Sequence, residues 1–98
     1  MRIERKNISR NLLKKGFVKK EDKHHIYFHH HYKGVDTGIY TFMSHGKKHE
    51  DYDRKVLSKM KKQLKLDSTQ DLVDLVNCPM SEDRYNEILR EKNFISVD

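Results

Sequence analysis

The stretch His24-His25-Ile26-Tyr27-Phe28-His29-His30-His31-Tyr32 decides the fold of this 98-residue chain. Aromatic and β-branched side chains dominate it, and they suit a pleated, half-buried strand better than a helix. Successive strand side chains point to opposite faces, so His24, Ile26, Phe28, His30 and Tyr32 share one side. His25, Tyr27, His29 and His31 share the other. Downstream, Lys33-Gly34 and Asp36-Thr37-Gly38 bracket a turn. Ile39-Tyr40-Thr41-Phe42-Met43 then reads as a second strand, ended by Ser44-His45-Gly46 and expected to pair antiparallel with the first.

Upstream, Phe17-Val18 opens an extended stretch that runs into the charged turn Lys19-Lys20-Glu21-Asp22-Lys23. Before it, Ile8, Leu12 and Leu13 predict a short helix with one apolar face and Asn7 as N-cap. Gly16 is placed to end that helix with positive φ. From about Glu50 to Leu64, Tyr52, Val56, Leu57, Met60 and Leu64 form one helical stripe. Ser68 and Asp71, at the spacing of a capping box, open a further helix carrying Leu72, Val73, Leu75 and Val76. Pro79 breaks it, and Ser81 starts a last short helix with Tyr85, Ile88 and Leu89. The order predicts an α+β fold: a three-stranded antiparallel sheet packed on two helices, α-β-β-β-α, with a C-terminal helical extension. Residues 1–66 are expected to form a basic domain. Residues 67–98 are expected to form an acidic helical extension packed on it.

The net charge of +6 hides an asymmetry. Residues 1–66 carry 18 Lys and Arg against 7 Asp and Glu, a net +11, whereas residues 67–98 carry 3 against 8, a net −5. A polyanion is the natural partner of the first part, because neutralising phosphates releases counterions. Leu72, Val73, Leu75 and Val76 of the second part are expected to pack, with a docking surface as the alternative, and one hypothesis is that its acidic residues lie on the basic face and compete with RNA. Cys78 is a single thiol, so no internal disulfide is available and a reducing, cytoplasmic compartment is expected. No run of about 18 apolar residues provides a membrane span, and the N-terminus has no secretory pattern.

Three segments together resemble the HicA family of toxin mRNA interferases, which have a double-stranded-RNA-binding-domain-like fold. Leu12-Leu13-Lys14-Lys15-Gly16-Phe17 resembles the end of the family's first helix, and His24-His25-Ile26-Tyr27 its strand motif. Ser44-His45-Gly46-Lys47-Lys48 resembles the exit from its last strand, and the helix with Val56, Leu57, Met60 and Leu64 its closing helix. The likeness covers roughly residues 8–66. It implies a ribonuclease that cleaves mRNA, neutralised by a HicB-like antitoxin, with His24 in the catalytic position. Where the family carries Gly-Ser or Gly-Gly before the histidine, this chain has Asp22-Lys23. The segment after Asp67 is longer than the usual end of the family's domain.

The chemistry fits these residue types. Cleavage of RNA through its own 2′-OH needs an acid-base group that titrates near neutrality, which imidazole provides, and cations that stabilise the charged transition state. The resemblance places His24 as the catalyst, with Lys23 and Lys47 or Lys48 expected on the phosphate and Tyr27 stacking or positioning. Arg54, Lys55, Lys59 and Lys62 on the following helix are expected to track the RNA backbone. His29, His31 and His45 invite a zinc site, but the chain has no Cys pair and no HExxH helix, and no metal or cofactor is expected. The competing reading is a non-catalytic RNA-binding module of the same fold.

Overall fold

The computed structural model describes residues 2–44, 51–77 and 79–96. The elements run β1 (Arg2–Glu4), α1 (Arg5–Lys14), β2 (Phe17–Glu21), β3 (His25–Tyr32), β4 (Val35–Ser44), β5 (Asp51–Asp53), α2 (Arg54–Gln63), α3 (Thr69–Val76) and α4 (Glu82–Glu91). Strands β2, β3 and β4 form the expected three-stranded antiparallel sheet, with β3 central. The α+β class is as the strand and helix patterns predict.

Differences lie at the edges of elements. The β3–β4 turn is Lys33-Gly34 alone, with φ of 52° and 79°. Tyr32 pairs with Val35 across it, as in the two-residue hairpin whose left-handed backbone matches the twist of the strands. Asp36-Thr37-Gly38, read from sequence as turn, belongs to β4. There the pairing shifts between His29 and His31, and Gly38 at φ 84° takes up the bulge. A second sheet, unforeseen because its strands are only three residues long, pairs β1 with β5. It places Tyr52 in a strand instead of at the start of the second helix, although Tyr52 is still buried.

Helix α1 begins at Arg5, so Asn7 lies inside it and Glu4 is the N-cap. Its buried stripe is Ile8, Asn11, Leu12 and Lys15, at i, i+3, i+4 and i+7. Leu13, expected on that stripe, is instead 45% exposed. Two polar residues take its place for a specific reason. The Asn11 amide donates to the carbonyl of Val76 and the Lys15 ammonium to that of Leu75, satisfying acceptors that the end of α3 leaves without helical partners. Gly16, at φ 90°, ends α1, and its own carbonyl accepts from His31 N–H at 2.9 Å. A Cβ there would stand 2.6 Å from a Glu82 carboxylate oxygen.

Side-chain caps open the last three helices: Asp53 for α2, Ser68 for α3 and Ser81 for α4. The acidic segment is therefore ordered into the helical layer, where it supplies core. Leu72, Leu75, Val76, Tyr85 and Leu89 are fully buried with Ile8, Leu12, Phe28, Leu57 and Leu64. Tyr85 lies 5.7 Å from Phe17, ring to ring, and its hydroxyl donates to Leu64 O at 2.8 Å. Within the acidic segment Arg84 pairs with Glu87, and Lys92 with Asp67.

Candidate functional site

Strand alternation divides the sheet into two unlike faces. Ile26, Phe28 and His30 of β3, Phe17 of β2, and Ile39, Thr41 and Met43 of β4 turn toward the helices. His30, although fully buried, has both ring nitrogens engaged. Nε2 lies 2.8 Å from Asn86 Oδ1 and Nδ1 lies 3.0 Å from Thr37 Oγ1. Burial pushes its pKa down, against the Asn86 hydrogen bond, which raises it. Nε2–H donates to the Asn86 amide oxygen, and the Thr37 hydroxyl, beside Nδ1, donates to the His30 carbonyl at 3.1 Å. His30 is a structural residue that ties β3 to α4.

The other face carries Val18 and Lys20 of β2, His25, Tyr27, His29 and His31 of β3, and Tyr40, Phe42 and Ser44 of β4. No described element covers it. Tyr40 is 43% exposed and Phe42 38%, high values for rings in the middle of strands. The rings contact one another across the strands: His29 stacks on Tyr40 at 5.2 Å and 20°, Tyr27 lies 5.8 Å from Phe42, and His25 meets Phe42 edge-on at 5.1 Å. An antiparallel sheet facing water on one side ordinarily carries polar residues there, so this face is unusual.

At one end of it, Asp22 closes the turn between β2 and β3. Its Oδ1 accepts from His24 N–H at 2.8 Å and from His25 N–H at 2.7 Å, and its own N–H donates to His25 O at 3.0 Å. Hydrogen bonds from the His25 and His24 backbones, in that order, hold the Asp22 carboxyl below its usual pKa. The Tyr27 hydroxyl also bonds to Asp22, and partial burial followed by this neighbouring carboxylate raises the Tyr27 pKa. Lys23 and His24 sit exposed at the tip, and the His24 ring lies 6.4 Å from that of His25. A carboxylate thus shapes the turn where the resembled family uses small residues.

Of the sequence-predicted site, the His24 ring neighbours that of His25, which in turn lies 5.8 Å from Tyr27, and Lys23 precedes them in the turn. His24 lies in the turn, not at the start of the strand. Arg54, Lys55, Lys59 and Lys62 are exposed on α2, in the helical layer rather than on the open face. Lys47 and Lys48 lie outside the described residues, as does His45 of the imagined zinc site. His29 Nδ1 and His31 Nε2 approach one carboxylate oxygen of Asp36, at 3.3 and 4.0 Å. Among the described residues no group of three metal-ligating side chains converges, and no helix is long and apolar enough to cross a membrane. A groove of ≈ 410 Å³ between α3 and α4 is lined by Asp67, Asp71, Asp74 and Glu91 together with Arg84 and Lys92. No protein-family model, curated protein or solved structure matches the chain.

Sequence reasoning missed Tyr40, Phe42 and His29 as surface features of one site. Their alternation was legible. Which of the two faces the helices would cover was not.

Proposed function

We propose that this domain is a histidine-based endoribonuclease of the toxin type, acting on RNA at the β2–β3 turn. The observation that carries the reading is the exposed His24 at the tip of a turn held by Asp22, with Lys23 before it and the His25 imidazole 6.4 Å away. Two imidazoles at that separation suit a division of labour across one scissile phosphate. One removes the proton from the 2′-OH, O2′ attacks phosphorus in line, and the P–O5′ bond breaks. The other gives its proton to the departing O5′, leaving a 2′,3′-cyclic phosphate. Lys23 offsets charge that develops on the phosphoryl oxygens. Asp22 acts through the backbone by fixing where His24 and His25 stand.

The resemblance to HicA toxins supports the same reading and extends it to a HicB-like antitoxin as partner. A neighbouring open reading frame encoding such a protein is the corresponding genomic expectation. The second reading, a non-catalytic RNA-binding module, is favoured by the ring-covered open face, which suits binding whether or not cleavage follows.

Labelled RNA incubated with the full chain in EDTA separates the two. Cleavage to cyclic-phosphate ends, lost by a factor of about 10² to 10⁴ in His24→Ala with unchanged circular dichroism, supports the nuclease. A gel shift without cleavage assigns the binder, and undiminished cleavage by folded His24→Ala removes His24 from the role.

A further inference from the structure

We infer that the open face of the β2–β3–β4 sheet is a stacking platform for the bases of single-stranded RNA. The inference rests on the RNA-handling reading above and names which form of RNA the site takes. Four side chains form its centre: Tyr27, His29, Tyr40 and Phe42, with ring centroids 5.2 to 6.1 Å apart. Each base has a π-face, so an exposed aromatic ring binds any base, with roughly 1–3 kcal/mol lost per base when the ring is removed. Residues two apart in a strand stand about 6.8 Å apart, so the run from His25 to His31 spans about 20 Å. That is room for the two or three bases that sheet platforms of this kind hold. Bases locked inside a duplex cannot lay their faces on such a surface.

Charge selects a nucleic acid over other occupants. Lys20 is exposed on this face and Lys23 at its end. The two acids that border it are already engaged, Asp22 by backbone N–H groups and Asp36 by His29 and the Gly38 N–H at 2.8 Å. His25, His29 and His31 offer ring N–H donors to a neighbouring phosphate. A second protein surface would instead have to desolvate three imidazoles. The platform ends at His25 and Phe42, beside the His24 turn. A strand lying along it therefore delivers its backbone to the proposed cleavage site.

The test measures fluorescence anisotropy of the full chain with a 2′-O-methyl oligonucleotide of about ten residues, which lacks the nucleophilic 2′-OH and cannot be cleaved. The expected result is binding at least tenfold tighter than to the same sequence in a duplex. Tyr40→Ala and Phe42→Ala should each weaken it about 5- to 150-fold, and Tyr40→Phe should retain it. Both positions are exposed, so folding of the alanine variants is checked by thermal melting. Equal affinity for duplex, or unchanged affinity in both folded alanine variants, overturns the platform. So does a dimer, seen by sedimentation, that the alanine variants dissociate, because the face would then belong to a second copy. Since the probe cannot react, loss of the platform leaves cleavage by His24 standing, and a platform without cleavage of ordinary RNA leaves only binding.

Discussion

His29 and His30 are neighbours in one strand and share a side chain, yet they belong to different kinds of environment. His30 is fully buried, held neutral by burial, and hydrogen-bonded to Thr37 and Asn86. His29 is partly exposed, stacked on Tyr40 and beside the Asp36 carboxylate. The difference extends to the whole sheet. The inner face, from Phe17 through Phe28 to Met43, is roofed by the helical layer. The outer face keeps a more aromatic set of side chains in water. Aromatic content alone therefore does not mark the core, and the outer rings are the ones left over for recognition.

The largest effect expected of this contrast comes from removing the roof. A chain ending at Leu66 loses Leu72, Leu75, Val76, Tyr85 and Leu89 from the core, and leaves Asn11, Lys15 and His30 buried partners short. It should fail to fold, read as loss of the cooperative thermal transition. A folded truncation would make residues 67–98 a separable extension after all. Next comes paired truncation of the two faces. Phe28→Ala empties a fully buried site and should cost about 3–5 kcal/mol, whereas Phe42→Ala, on the open face, should stay within about 1 kcal/mol in urea unfolding. Equal losses would mean that the outer face is covered.

A smaller effect is expected at the link between His30 and α4. Asn86→Ala leaves the His30 Nε2–H without its acceptor in the interior and should destabilise by about 1–3 kcal/mol. His29→Ala, on the opposite face, should change stability by less than about 0.5 kcal/mol. The smallest is a pH effect. The folded-state pKa of His30 is depressed by burial, so above about pH 6.5 the ring is neutral in both folded and unfolded chains and contributes no slope. As pH falls below that value the unfolded chain takes up the proton and the folded one resists, so stability declines until the depressed folded pKa is passed. Denaturation curves at several pH values should show that decline, and His30→Gln should flatten it. An unchanged slope would remove His30 from the acid sensitivity.

Much of the fold was legible in the chain. Strand parity separated His30 from His29, Gly16 announced the end of α1, and the Ser68 and Ser81 caps marked two helices. The local reading erred where short elements or tertiary partners overrode it. Leu13 gave way to Asn11 and Lys15 because α3 ends with carbonyls that need donors. Asp36-Thr37-Gly38 joined a strand because the bulge brings Thr37 to His30. The candidate site was half legible: His24, Lys23 and Tyr27 stand out by type, but Asp22 looked like a missing glycine until its carboxylate was seen closing the turn.

What the amino-acid order determined by itself was alternation: which side chains of each strand travel together, and which stripe of each helix is apolar. Both follow from backbone periodicity, a local property that needs no partner. The choice of which sheet face is roofed and which is left to solvent belonged to the tertiary structure. That choice depends on where α1 to α4 bury their stripes, and it is settled only by contacts between residues far apart in the chain, such as Phe17 with Tyr85 and His30 with Asn86.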